Sequence, residues 1–239
     1  MTEELLREDV FTVVDQTVVE LLEAARIEGP PVDAIALAQR HLGMIVCLDR
    51  RQPQRGRAHR SGGRKQIFLR PEPTEERHQW TVAHEIGEHL KADLLLRLHI
   101  EPAQTRAMSG ESLANLFAHR LLVPTAWFAA DAPALDYDLF ALKQRYRTAS
   151  HEVIAWRFLD LPEACVVAVV DNDHVAKRRS NAFRVNKQLS PAESACQQLV
   201  SRTAMPQVVR CDGWTVQGWP VHQADWKREI LRGVVEDDA

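Results

Sequence analysis

The sequence predicts an α+β fold that is mainly helical in its N-terminal half and strand-rich towards its C-terminal end. Residues 4–27 place apolar side chains at helical spacing, and residues 109–122 repeat that pattern before a proline. From Ala164 the pattern changes, because short apolar runs such as Cys165–Val170 alternate with turn residues, which is typical of strands. We therefore divide the chain into a core at 1–127, a helical segment at 128–160 and a strand-rich region at 161–239.

Composition places the chain among ordinary globular proteins. Its 239 residues are 45% hydrophobic and 26% charged, and the formal net charge of −3 gives no support for attraction of the whole chain to nucleic acid. No run of about 18 apolar residues occurs, so no membrane span is expected. The first residues are acidic and lack a signal-peptide pattern, and the four cysteines are far apart, so we expect free thiols and a cytoplasmic location.

The first third of the chain is predicted to contain two helices and two strands. The helix over residues 4–27 is followed by a second one from Pro31 or Val32 to about Leu42. Residues 44–48 and 66–69 suit paired strands. Between them lies the segment from Arg50 to Lys65, and the stretch from Arg50 to Arg70 holds eight basic residues and no acidic ones. We expect a hairpin loop or a lid there, either simply solvated or in contact with an acidic peptide or a nucleic acid phosphate.

The most informative motif lies on a helix predicted to run from Thr74 or Glu75 to about residue 95. His84 and Glu85 match the start of His-Glu-x-x-His, in which two histidines hold a metal and the glutamate is a general base. Here Glu88 occupies the position of the second histidine, and His89 comes one residue later. On a regular helix Glu88 shares the face of His84, whereas a one-residue bulge would bring His89 back. We favour Glu88 as the second ligand and keep His89 as the alternative.

A second helix, predicted from about Ser109 to Leu122, carries a polar stripe. Glu111, Asn115 and His119 follow one another at intervals of four residues, so they line one face. In an unknown helix such a stripe most often simply faces solvent. The stripe becomes a candidate part of the site only if this helix packs against the helix of His84.

Three blocks of sequence resemble the ImmA/IrrE family of metallopeptidases. The first covers residues 29–46, and the second is the arginine-led run at 76–87 that leads into the motif. The third, at 111–124, meets every fixed position of the family pattern Glu-x-x-Ala-Asn-x-Phe-Ala-x-x-Leu-Leu-x-Pro. The resemblance covers roughly residues 10–160 and departs from the family pattern at position 88.

The resemblance implies a zincin-like metallopeptidase core and a site-specific endopeptidase. His84, Glu88 and Glu111 would be the metal ligands, with zinc as the expected ion and manganese possible, and Glu85 would be the general base. Members of the family cleave helix-turn-helix repressors, so the implied partner is an XRE-type repressor that controls a stress or mobile-element response. His119 could be a spare ligand, an oxyanion donor or a bystander.

The departure at position 88 keeps a second interpretation open. Two carboxylates on one divalent ion weaken its pull on bound water and favour harder ions such as manganese. The alternative is therefore a catalytically inactive, peptidase-like protein that binds a partner or ligand as a regulator. A DNA-binding adaptor is a weaker third possibility, because the net charge is negative.

The remainder of the chain gives fewer functional signals. Residues 138–146 and 150–159 suit two short helices with a tight connection, which resembles a helix-turn-helix unit. The second of them displays few basic side chains, so we expect packing rather than DNA contact. The C-terminal region is expected to form a hairpin after Cys165–Val170, a helix at 191–200 and further short strands, with a role in sensing a small molecule or covering the site.

Overall fold

The computed structural model describes residues 3–100 and 110–236 and confirms the predicted α+β class. Contacts group the chain into two units. The N-terminal unit comprises Met1–Ala130 and Gln144–Ser150, and the C-terminal unit comprises Asp131–Lys143 and His151–Ala239. In the described part of the chain, no helix is long and apolar enough to cross a membrane.

Helices predicted from apolar spacing form most of the N-terminal unit. They are α1 (Glu3–Ala24), α2 (Ala34–Arg40), α3 (Glu75–Arg97) and α4 (Gly110–Leu122), followed by α5 (Thr125–Ala134). Helix α2 begins later than expected, because the Asp33 side chain accepts a hydrogen bond from the Ala36 backbone N–H (2.9 Å) and caps the helix. Helix α5 was not predicted.

A three-stranded sheet completes the N-terminal unit. Strand β1 (Ile45–Leu48) pairs in parallel with β3 (Arg64–Leu69), and β2 (Gly56–Ser61) pairs antiparallel with β3 through the turn Gly62-Gly63. The strand order β1-β3-β2 leaves β2 at an edge. The expected pairing of these two strands is confirmed, but it is parallel, and part of the expected hairpin loop is the regular strand β2. Both turn glycines have positive φ, the conformation that a two-residue hairpin turn requires.

Helices and an antiparallel sheet form the C-terminal unit. Helices α6 (Leu139–Arg145) and α7 (His151–Arg157) confirm the two short helices, and a turn of 3₁₀ helix at Phe158–Asp160 follows α7. The remaining elements, in chain order, are β4 (Cys165–Asp171), β5 (His174–Ser180), α8 (Pro191–Thr203), β6 (Gln207–Cys211), β7 (Trp214–Pro220) and β8 (Arg228–Val235). The sheet order is β5-β4-β8-β7-β6, so β8, which was not predicted, is the central strand.

Helix α8 covers one face of this sheet. Its Cys196 and Val200 pack among buried side chains of the strands, including Val216 and Leu231. Gly218 makes this contact possible, because a Cβ there would lie 2.7 Å from the Cys196 sulfur. The four cysteines are free, and burial raises the pKa of the Cys196 thiol to about 12. The buried thiols of Cys165 and Cys196 therefore pack as small apolar groups.

A charged network ties α7 to the central strands. The Arg228 guanidinium on β8 donates to Asp171 on β4 through Nε (2.6 Å) and Nη2 (2.8 Å). It also donates through Nη1 to the Glu152 carboxylate on α7 (2.8 Å). These hydrogen bonds to Arg228 hold the pKa of the Asp171 carboxyl below its ordinary value of 3.8. The ionised form of Asp171 is therefore the one that stabilises the fold.

Replacing Asp171 by Asn should lower stability in a pH-dependent manner. We expect the free energy of unfolding at pH 7 to fall by about 1–3 kcal/mol, as for loss of hydrogen bonds to a charged group. Because the folded-state pKa of Asp171 is lowered, its contribution is present above the ordinary carboxyl range and is lost as the pH falls through the folded-state value. Urea unfolding of both proteins between pH 7 and pH 3 measures this. A difference that stayed constant across that range would contradict the assignment.

Candidate metal centre

Helix α3 is a continuous α-helix from Glu75 to Arg97. A residue four positions along an α-helix lies about 40° round the helix axis from the first, so Glu88 shares the face of His84. A residue five positions along lies about 140° round, so His89 points away from that face. The bulge that would return His89 to that face is not present. All three side chains are half-buried. The geometry thus favours Glu88 over His89, and the choice of ligand stays a prediction.

Helices α3 and α4 lie backbone to backbone at Gly87. A Cβ built there would lie 3.0 Å from the Ala114 Cα, 3.2 Å from the Ala114 oxygen and 3.2 Å from the Phe117 Cβ. Only glycine therefore allows the two backbones to come this close without a shift. The approach brings Asn115 and His119 of the polar stripe against α3.

The pairing between these two helices follows a regular antiparallel register. The rings of Trp80 and His119 meet edge to face, with centroids 4.6 Å apart. One turn further along α3, the His84 Nδ1 lies 3.0 Å from the Asn115 amide oxygen. The next step of the same register brings the backbone positions of Glu88 and Glu111 opposite each other. The side chain of Glu111 lies outside the described residues, so its predicted role as third ligand remains a prediction.

His84 is arranged as a metal ligand would be. An N–H on Nδ1 that donates to the Asn115 amide oxygen leaves the Nε2 lone pair available, and such a second hydrogen bond fixes the ring of a ligating histidine. Asn115 is a positioning residue that the motif alone did not reveal. The antiparallel pairing of the two helices was the signal that could have found it.

The carboxylate of Glu88 has a competing partner. Its Oε2 lies 3.7 Å from the Lys91 ammonium, one turn along the same helix. Among the side chains that the structure describes, no group of three or more His, Cys, Asp or Glu residues is arranged to hold a metal ion. An imidazole and a carboxylate on one helix face match the donor types of zinc and manganese sites, so the residues described fit two of the three predicted ligands.

Glu85 lies between α3 and the edge strand β2. Only 7% of the residue is exposed, and its carboxylate accepts a hydrogen bond from the Ala58 backbone N–H on β2. Burial raises the pKa of the Glu85 carboxyl, while His84 and the Ala58 N–H act in the opposite direction. Gly56 leaves the space for it, because a Cβ at Gly56 would come within 2.6 Å of the Glu85 Oε1. Gly56 and Ala58 are thus site residues that sequence reasoning missed.

Comparison with known proteins identifies the family of this chain. The family described as "Peptidase_M78: IrrE N-terminal-like domain" matches residues 39–158, which is 120 of the 239 residues. The chain belongs to this family. The match runs from the end of α2 to the 3₁₀ turn after α7 and includes both helices of the site, so this IrrE-like chain has a metallopeptidase fold.

The IrrE-like chain also has a structural neighbour among solved proteins. A Mycobacterium tuberculosis transcriptional regulator superposes with a TM-score of 0.66 over 98% of this chain and 81% of its own length. Sequence identity is 16%, so the likeness concerns the fold. No curated protein matched the chain.

Glu88→Ala should abolish metal binding by the IrrE-like chain, and His89→Ala should largely retain it. The reason is that Glu88 shares the helix face of His84 and His89 does not. Zinc titration of both variants, with circular dichroism to confirm helix content, measures this. Retention in Glu88→Ala together with loss in His89→Ala would instead identify His89 as the ligand.

Proposed function

We propose that this chain is a metal-dependent endopeptidase that cleaves one protein substrate at a specific site. The observation that carries the proposal is the placement of Glu85. Its buried carboxylate lies next to the candidate ligand His84 and also touches the backbone of an edge strand. A general base must lie within hydrogen-bond reach of the water it activates and of an aligned peptide.

His84, Glu88 and Glu111 are the residues proposed to hold the metal, with zinc preferred and manganese possible. When bound, a divalent ion lowers the pKa of a coordinated water and polarises the scissile carbonyl. The Asn115 amide oxygen holds the His84 ring through Nδ1, so that Nε2 points away from the Asn115 side chain. Glu85 takes a proton from the attacking water on its carboxylate and then delivers it to the leaving nitrogen. Its low exposure keeps competing water away from that proton.

The proposed substrate is a helix-turn-helix repressor of the XRE type, in the cytoplasm. The family match supports a regulatory peptidase, and the solved neighbour is itself named as a transcriptional regulator. Cleavage of a repressor would relieve repression of stress or mobile-element genes. Direct DNA binding by this chain is not part of the proposal.

A non-cleaving regulator is the second candidate, and Glu88 is the observation that favours it. A carboxylate in place of the second histidine adds negative charge to the ligand set, and Lys91 lies close enough to pair with it. The added negative charge weakens the pull of a bound metal on its water, and the ion pair with Lys91 competes with the metal for the Glu88 carboxylate. In that case the same face would bind a partner without hydrolysis.

Glu85→Gln separates the two candidates. The substitution keeps the shape of the side chain but removes the base, so we expect unchanged zinc affinity and loss of cleavage by at least about 10²-fold. The assay is incubation of zinc-loaded protein with the repressor-like protein encoded nearest to it, followed by mass spectrometry of the products. Glu75→Gln, the same change at the exposed start of α3, is the control and should cleave normally.

Cleavage at the wild-type rate by Glu85→Gln would eliminate this hydrolytic mechanism. Absence of cleavage by wild type, with binding of the same repressor, would instead favour the non-cleaving regulator.

A further inference from the structure

One face of the β2–β3 hairpin is strongly basic. Side chains alternate across a strand, and the buried Ile67 and Leu69 show which face points into the unit. The register then places Arg57 and His59 of β2 and Arg64 of β3 on the opposite, outer face, where all three are exposed. We call Arg57, His59 and Arg64 the basic face.

The arginines of the basic face have no carboxylate partner within the described part of the chain. Arg55, Arg70 and Arg77 all reach the carboxylate of Glu72, at 3.9, 3.0 and 3.3 Å respectively. No such ion pair forms at Arg57 or Arg64, and the Arg57 guanidinium instead lies 5.3 Å from the centre of the Phe68 ring. Exposed and uncompensated positive charge attracts an acidic partner.

The basic face borders an open strand edge. Strand β2 is the last strand of its sheet, and residues of an antiparallel pair alternate between bonding to the partner strand and pointing away from it. The Ala58 N–H points away from β3, because it donates to Glu85. The alternation then directs the backbone groups of Gly56 and Arg60 to the same free edge, where an extended peptide can add as a further strand.

We propose that the basic face selects acidic side chains in the peptide segment that lies along the open edge of β2. The inference rests on the proposed peptidase function and names the class of sequence that is cut. In a sheet, side chains of neighbouring strands on one face are about 4.5–5.5 Å apart. An Asp or Glu of the added strand therefore lies beside Arg57 or His59. The long side chain of Arg64, one strand further away, can also reach it.

A peptide fits this surface better than a nucleic acid. The free backbone groups of β2 are matched by a peptide backbone and not by phosphates. Stacking of a base needs an open aromatic ring, but the Phe68 ring is half-buried and has the Arg57 guanidinium over it. The Glu85 carboxylate at the same edge would also repel a phosphate.

The test uses a library of peptides that differ only by Asp and Glu in place of Asn and Gln. Zinc-loaded wild type, Arg57→Gln/Arg64→Gln and Arg51→Gln are incubated with the library, and products are counted by mass spectrometry. We expect wild type to cut acidic peptides faster than amide peptides. In the double variant, the ratio of these two cleavage rates should fall about 3–30-fold, while the amide peptides are cut at an unchanged rate. Arg51 is exposed and precedes β2, so its variant controls for the loss of an exposed positive charge outside the basic face and should keep the preference.

A preference that survives in the double variant, or that Arg51→Gln removes equally, would overturn the proposal.

A binding experiment separates the selection of acidic peptides from the proposed peptidase function. Glu85→Gln, with and without Arg57→Gln/Arg64→Gln, is titrated with labelled acidic and amide peptides. If wild type cuts no peptide, and acidic peptides still bind in a way that depends on Arg57 and Arg64, the recognition of acidic peptides stands and the peptidase assignment fails. Equal binding of both peptides, or tighter Arg-dependent binding of an oligonucleotide, would overturn the inference.

Discussion

The candidate centre depends on the close approach of α3 and α4 at Gly87. The missing side chain lets the α3 backbone lie against the backbone of Ala114, and that contact fixes the register of the two helices. The register in turn pairs Trp80 with His119 and His84 with Asn115. Any larger residue at position 87 must push the helices apart. The same spacing that packs the unit therefore also orients His84, the candidate ligand.

Glu85 shows how a candidate catalytic residue can oppose stability. Burial of an ionised carboxylate is costly unless hydrogen bonds compensate, and here the Ala58 N–H supplies one. The neighbouring strand accommodates the carboxylate because its inward positions carry glycine and alanine, at Gly56 and Ala58. Strand β2 thus contributes space and a backbone donor, rather than apolar packing, to the site. Such an arrangement is expected where the candidate site, rather than packing of the hydrophobic core, constrains which residues the strand carries.

Residues with clear periodicity made most elements predictable. Apolar spacing located α1, α3 and α4, and the motif on α3 predicted which of its faces carries the candidate site. Strand β2 was missed because its side chains are mostly Arg, His, Gly and Ala, which give no alternation of apolar residues. Asn115 was expected near the site, but its contact with His84 required knowledge of how the helices pair.

The central strand β8 was missed for a different reason. It carries the buried charges Glu229 and Arg232, which suggest solvent exposure when they are read from sequence alone. In the structure, the His222 ring pairs with Glu229 at 2.9 Å, and Arg232 donates to Gln217 at 3.0 Å and lies over the Tyr137 ring. Only tertiary partners make these residues acceptable in a core strand.

Gly87→Val tests most directly whether the helix approach assembles the centre. The zinc dissociation constant of the variant is measured by calorimetric titration, with circular dichroism to confirm that it is folded. Gly29→Ala is the control, because a Cβ at Gly29 meets nothing within 4 Å. We expect zinc affinity at least about tenfold weaker in Gly87→Val and unchanged in the control, as for loss of a group that orients a ligand. Wild-type zinc affinity in a folded Gly87→Val protein would contradict the dependence of the centre on this helix contact.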